Sequence, residues 1–228
     1  MSESQPIDPT ELIGEIREKS ARLVVSVPPE SRRLIEEGGK KDLTYILPVT
    51  PAIERALALR TTVVLPEGSF QRKKEFHVTA IGFDGAELVR AVAAERGGDQ
   101  AAVTGRINEL LSETDFSFEI DPTSAKVVTN LEYDADAVRS KVGRKQHTSE
   151  KSVVMDVHMP GMVAFYDKLR AELGIDLGHP AAHVTLYVKD NGDATGLGIG
   201  IKDYEAQLRG DVYPKIEARP LPKEKILT

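Results

Sequence analysis

Cysteine and tryptophan are absent from this chain of 228 residues, and aromatic residues make up only 5% of it. Without cysteine the chain has no disulfide framework, no cysteine nucleophile and no thiolate metal site, and it suits a reducing compartment. The scarcity of aromatic side chains argues against an extended platform for stacking nucleic-acid bases. Proton transfer near neutral pH must therefore rest on histidine.

An excess of positive charge and a long apolar run are also missing. Lys and Arg number 30 against 36 Asp and Glu, a formal net charge of −6, so no overall basic field attracts a long nucleic-acid duplex. No apolar run approaches the ~18 residues of a membrane helix, and the polar residues 1–6 do not resemble a signal peptide. We expect a cytoplasmic monomer with no membrane partner.

What remains is an ordinary globular composition, with 40% hydrophobic and 29% charged residues. The length predicts one large domain or two small lobes. We expect residues 1–9 to be a flexible tail and residues 10–228 to form a single domain. Strand and helix patterns alternate along it, which favours an α+β fold. Strands are predicted at 22–27, 43–47, 61–65, 75–83, 116–120, 126–129, 152–157 and 183–188, and helices at 29–37, 51–59, 86–94, 101–111 and 161–173.

One tripeptide, His-Val-Thr, occurs twice on predicted strands about half a chain apart, starting at His77 and at His183. Side chains alternate between the two faces of a strand, so the His and Thr of each copy share a face. The residues between and beyond them then point into the core: Val78, Ala80, Val184, Leu186 and Val188. Two such strands side by side would offer two imidazoles and two hydroxyls.

That set of side chains suits the cleavage of a phosphodiester. A neutral imidazole can take a proton from the nucleophile while a protonated one donates to the leaving oxygen. The hydroxyls of Thr79 and Thr185 can donate hydrogen bonds to the non-bridging phosphate oxygens. Each positioned proton transfer contributes about 10²–10⁴ in rate, so this chemistry requires no metal.

These motifs resemble those of the 2H phosphoesterases, named for two His-x-Thr/Ser motifs on facing strands. The order of a helix over 162–173, a glycine-containing loop, Pro180 and then His183 is similar to the family's second motif. The first motif departs from the pattern at Ala80, where the family usually has leucine. Residues 22–30 also look like the opening strand and helix entry of bacterial RNA 2′,3′-cyclic phosphodiesterases, and residues 40–70 then read as an insertion or family-specific element.

The resemblance implies a bilobal α+β fold with two mostly antiparallel sheets, helices outside and a central cleft. One lobe would carry the His77 motif and the other the His183 motif. His77 and His183 would be catalytic, and Thr79 and Thr185 would bind the substrate phosphate. It further implies a phosphodiesterase without metal or cofactor, whose substrate is the 2′,3′-cyclic phosphate of a nucleotide or RNA end.

Two other functions remain open from the sequence. The first is a non-catalytic nucleotide- or RNA-binding module that uses the same cleft. The second is a response-regulator receiver-like domain with Asp156 as phosphoacceptor, because residues 153–162 resemble a receiver's acceptor strand and Thr185 follows at a suitable spacing. That hypothesis lacks the acidic pair expected at the end of an earlier strand.

Several further features have weaker interpretations. Tyr187, predicted on the face of His183, would either stack on a base or pack, and Lys74 in the run 72–74 would either steer a phosphate or lie in a solvated turn. His179 and His183 do not form a zinc site, because Pro180 prevents a regular helix between them. The basic cluster within 134–151 reads as a solvated surface, and the glycine-rich residues 192–200 as a hairpin or cleft edge.

Overall fold

The computed structural model describes residues 24–25, 33–37, 40–130, 151–189 and 216–227. The predicted tail, the glycine-rich segment and nearly all of the basic cluster lie outside them. The described elements, in chain order, are β1 (Val24–Val25), β2 (Arg33–Glu37), β3 (Lys40–Pro48), α1 (Thr50–Ala56), β4 (Thr62–Leu65), β5 (Gly68–Arg72), β6 (His77–Ile81), α2 (Phe83–Glu95), α3 (Gln100–Glu113), β7 (Phe118–Ile120), β8 (Lys126–Asn130), β9 (Lys151–His158), α4 (Pro160–Lys168), β10 (His183–Lys189) and β11 (Ile216–Pro220).

The strands form two sheets, and every strand pair in the described part of the chain is antiparallel. The larger sheet has the order β1-β7-β9-β10-β5-β4; in addition β8 pairs with β9, and β11 pairs with β8. The smaller sheet has the order β2-β3-β6. The fold is therefore α+β with two antiparallel sheets, as the sequence predicts.

The helix predicted over 29–37 is wrong for its second half, where the chain forms β2. Glu37 pairs with Lys40, and only Gly38 and Gly39 separate them in the sequence. A Gly-Gly pair between two strands is a signal for a two-residue hairpin, but the same pair also follows the ends of helices, which is why the pattern predicts a helix here. Residues 40–70, expected to be an insertion or family-specific element, include β3, the strand that joins β2 to β6.

Both sheets contribute to one hydrophobic core. It contains residues of the smaller sheet, such as Tyr45 and Ile81, together with Phe70, Val153 and Leu186 of the larger sheet. Helices α2 and α3 pack against each other, and α2 packs on β3 and β6. The core is thus continuous between the two motif-bearing parts of the chain.

Local signals explain where the helices begin and end. The carboxylate of Asp99 accepts a hydrogen bond from the Ala102 N–H at 2.9 Å and caps α3, as expected of an N-cap aspartate. Helix α4 begins with Pro160 and continues through a π-helical turn at Leu169–Leu173. It stops at Gly174, whose φ of 74° is left-handed and favours glycine. No helix among the described residues is long and apolar enough to span a membrane.

Candidate active site at the junction of the sheets

The two His-Val-Thr strands lie next to each other, one in each sheet. Strand β5 pairs with β10 in the larger sheet, and a few residues later the chain enters the smaller sheet as β6. At the crossing, the backbone N–H of Lys73 donates to the carbonyl of Leu186 at 2.9 Å. Strand β6 consequently packs against β10. The chain's change of sheet thus brings the first motif to the second.

The first motif has the alternation that the sequence predicts. His77 and Thr79 are half-buried, whereas Val78 and Ala80 are buried in the shared core. Thr50 fixes the backbone just before the motif, because its hydroxyl accepts from the Phe76 N–H at 2.7 Å and lies 3.2 Å from the Phe76 carbonyl. These two contacts with Phe76 fix the start of β6 and therefore the position of the His77 side chain.

The second motif is followed by a β-bulge that the sequence did not predict. Thr185 pairs with Val154 and Tyr187 with Val153, which leaves Leu186 as an extra residue on β10. Directly paired residues share a face, so Tyr187 lies with Val153 on the core side. The prediction that it shares the face of His183 is wrong. Val188 is fully buried, as predicted, although it lies outside the cluster that contains Val184 and Leu186.

Tyr187 itself is fully buried. Its hydroxyl lies 3.0 Å from the Arg60 carbonyl and 2.9 Å from the Ile226 carbonyl. Burial raises the pKa of this phenol to about 12, although the charges of Arg72 and Arg60 oppose the rise. In this structure the side chain has the packing role rather than the base-stacking role.

His183 is 6% exposed, and its backbone environment selects one tautomer. Its Nδ1 lies 3.3 Å from the carbonyl oxygen of Ala181. A carbonyl oxygen can only accept, so this contact favours the tautomer with the proton on Nδ1, in which Nε2 is the basic nitrogen. In the other motif, the Nδ1 of His77 is buried.

An ion pair lies on the same face of the larger sheet as His183 and Thr185. Asp156 is directly opposite His183, and Lys126 and Thr185 are both paired with Val154. The Lys126 Nζ lies 2.9 Å from Asp156 Oδ2, and both side chains are partly shielded from solvent. This carboxylate sits within a strand of an antiparallel sheet, which does not match the parallel sheet of a receiver domain.

The lysine nearest the junction is Lys73, which the sequence had not singled out from its neighbours. Its backbone amide is the one bonded to β10, and its side chain is half-buried. Desolvation lowers the pKa of Lys73, and the nearby carboxylate of Glu75 partly offsets this. Lys74, the predicted phosphate contact, is exposed. Lys73 differs from Lys74 because its backbone is bonded to β10 where the chain passes from the larger sheet to the smaller one. A single sequence does not show where that passage occurs.

Metal-ligand geometry is absent from the part of the chain that the structure describes. No group of three or more His, Asp or Glu side chains gathers there to hold an ion. The imidazole of His179 lies on the exposed surface, with Nε2 3.0 Å from Asp167 Oδ1.

A cavity of about 840 Å³ lies beside the second motif, lined in part by Asp156, Ala181 and Ala182. It contains neither motif histidine, so it is separate from the junction although it borders it. Sequence patterns gave no indication of this cavity, because its walls come from strand ends, a helix start and loops distant in the chain. No family model matches this chain, and neither a curated protein nor a solved structure does.

Proposed function

We propose that the chain is a metal-independent phosphodiesterase of the bilobal 2H type, acting on the 2′,3′-cyclic phosphate of a nucleotide or RNA end. The observation that carries the proposal is the adjacency of the two motif strands, β6 and β10, where the sheets meet. Packing and strand formation alone do not require the same tripeptide on two neighbouring strands of different sheets. A substrate bound by both motifs would explain why the tripeptide occurs on both.

The orientation of the motif side chains supports the same function. On β6, the side chains of His77 and Thr79 are half-buried and lie outside the core, whereas those of Val78 and Ala80 are buried in it. On β10, Val184 is in that core whereas His183 and Thr185 are on the other face. Each strand thus presents one imidazole and one hydroxyl away from the apolar interior, as two-histidine acid–base chemistry needs.

The proposed reaction follows from these groups. One imidazole removes a proton from water as its oxygen attacks phosphorus, and the bond from phosphorus to the 2′ or 3′ ribose oxygen breaks. The second imidazole protonates that leaving oxygen, while Thr79 and Thr185 donate to the non-bridging oxygens. His183 would exchange its proton at Nε2, because Nδ1 is held by the Ala181 carbonyl.

The direct test is hydrolysis of uridine 2′,3′-cyclic phosphate in the presence of EDTA. We expect His77→Ala and His183→Ala each to lower kcat by about 10²–10⁴, the usual contribution of a positioned proton transfer. Thr79→Val and Thr185→Val should lower kcat/KM by a smaller factor. A matched control is Thr62→Val on the edge strand β4, where the exposed Thr62 hydroxyl donates to Gln71 Oε1 at 2.9 Å.

Two results would contradict this proposal. Turnover that persists in both histidine variants would show that the imidazoles are not the acid and base. Nucleotide binding that depends on Thr79 and Thr185, with no turnover of any cyclic phosphate, would instead support the non-catalytic binding module. Circular dichroism of each variant separates loss of chemistry from loss of folding.

A further inference from the structure

The cavity beside β10 is built from both apolar and polar side chains. Its volume of about 840 Å³ falls in the range of small-molecule sites. The apolar part comes from the ends of β7 and β9, the start of α4 and the loop before His183. The larger apolar side chains in the lining are Ile120, Val157, Met159, Met162, Val163 and Pro180. Such a surface accepts a flat ring, since methionine and proline pack well against ring faces.

One cation of the lining, Lys223, has no hydrogen-bond partner among the residues that the structure describes. The Nζ of Lys223 is fully buried and forms no hydrogen bond within the described part of the chain. A buried ammonium normally has an acceptor, because an uncompensated charge out of water is costly. Lys223 also lines the cavity. An acceptor atom on a bound ligand would complete its coordination.

The other charged groups decide what kind of acceptor fits. Asp156 lines the cavity, but its charge is compensated by Lys126 at 2.9 Å. Glu119 and Asp121 also line it, together with His158 and His179, so carboxylates outnumber the one lysine in the lining. A dianionic phosphate would therefore meet net repulsion, whereas a neutral carbonyl would bond to Lys223 while ligand N–H or O–H groups donate to the carboxylates.

The cavity borders the second motif at two places. Ala181 and Ala182 belong to its wall and immediately precede His183, and Ala181 supplies the carbonyl that holds His183 Nδ1. Asp156, on the opposite strand, is the direct partner of His183 in the sheet. A ligand at the junction of the sheets would thus extend into this cavity beside the His183 end.

We propose that this cavity binds the nucleoside part of the substrate, with a carbonyl of the base accepting from Lys223. The inference rests on the proposed phosphodiesterase function for the identity of the ligand. It makes Lys223 a substrate-binding residue that discriminates nucleotides from smaller phosphodiesters. The ring lies on the methionine and proline surface, and the ribose hydroxyls face the carboxylates.

The test compares two cyclic phosphates, with and without a nucleoside. For Lys223→Met, we expect KM for uridine 2′,3′-cyclic phosphate to rise at least tenfold with kcat nearly unchanged. Hydrolysis of the cyclic phosphate of propane-1,2-diol, which lacks base and ribose, should be unaffected. The control is Lys225→Met, a change to an exposed lysine in the same 3₁₀ turn, Lys223–Lys225.

A binding measurement keeps this inference separate from the proposed function. Uridine alone should bind to the wild-type protein and to Lys225→Met, and at least tenfold more weakly to Lys223→Met, as followed by NMR titration. If uridine binds in this way but no cyclic phosphate is hydrolysed, the cavity assignment stands and the phosphodiesterase fails. If both cyclic phosphates are hydrolysed and Lys223→Met changes neither KM nor uridine binding, the cavity assignment is overturned.

Discussion

At the scale of single residues, two fully buried tyrosines differ in one respect, the partner of the hydroxyl. Tyr187 lies within hydrogen-bond distance of two carbonyls, those of Arg60 and Ile226. Tyr45 has no hydrogen-bond partner for its buried hydroxyl among the described residues. Desolvating a hydroxyl without a hydrogen bond costs free energy, whereas losing a buried bond leaves its acceptor unsatisfied. The same substitution should therefore have opposite effects at the two positions.

We expect Tyr187→Phe to lower the free energy of unfolding by about 1–3 kcal/mol, the cost of leaving a buried acceptor unpaired. Tyr45→Phe should leave that free energy unchanged or raise it. Urea unfolding of both variants, followed by circular dichroism, measures the difference. Because Tyr187 faces the core, its variant should also retain the kcat/KM of the folded protein. A large loss of kcat/KM without a loss of stability would restore the base-stacking role.

At the scale of secondary-structure elements, two helical glycines have opposite surroundings. A Cβ at Gly161, in the first turn of α4, would overlap the carbonyl oxygen of Asp115. A Cβ at Gly105, within α3, would meet nothing within 4 Å. Helix α4 can approach the segment before β7 this closely only because residue 161 has no side chain. That approach also sets the position of Met162 and Val163 in the cavity wall.

We expect Gly161→Ala to destabilise the protein by about 1–3 kcal/mol or more, because backbone on both sides must move apart. Gly105→Ala should stabilise it by about 0.4–1 kcal/mol, since alanine favours the helix and restricts the unfolded chain. Thermal unfolding of the two variants gives both values. Equal effects of the two substitutions would show that α4 does not contact Asp115 as described.

The sequence predicts elements best where local pattern and tertiary environment agree. Alternation around His77 and Thr79 places both on the face away from the core, and the structure confirms it. The bulge at Leu186 reverses the alternation after Thr185, and it depends on pairing with β9 and on the bond to Lys73. Strand β5 was missed because Gly68–Arg72 contains a single buried apolar residue, Phe70. No sequence pattern predicts Lys223 as a binding residue, because that role depends on a cavity formed by segments distant in the chain.

At the scale of the whole molecule, one core joins the two sheets and buries a tyrosine from each. Tyr45 belongs to the smaller sheet and Tyr187 to the larger, and both are members of that core. Burial raises the pKa of each to about 12, against about 10 in an unfolded chain. Because both phenols lie in one core, exposing either of them to water so that it can ionise requires that core to open. We therefore expect a single cooperative transition in alkali.

The sign of the pH dependence follows from these two pKa values. Folded-state pKa values above the unfolded ones give stability that is complete below pH ~10 and is lost as the pH rises toward ~12. Each tyrosine contributes a slope of up to about 1.4 kcal/mol per pH unit in that window. Lys73 opposes them, because its lowered pKa makes stability rise with pH up to its unfolded pKa.

Among the described residues, two tyrosines with raised pKa values oppose this one lysine, so the net free energy of unfolding should fall, and urea unfolding between pH 9 and 11.5 should show it. Tyr45→Phe and Tyr187→Phe should each remove about half of the tyrosine slope; if they leave it unchanged, other groups cause the alkaline loss.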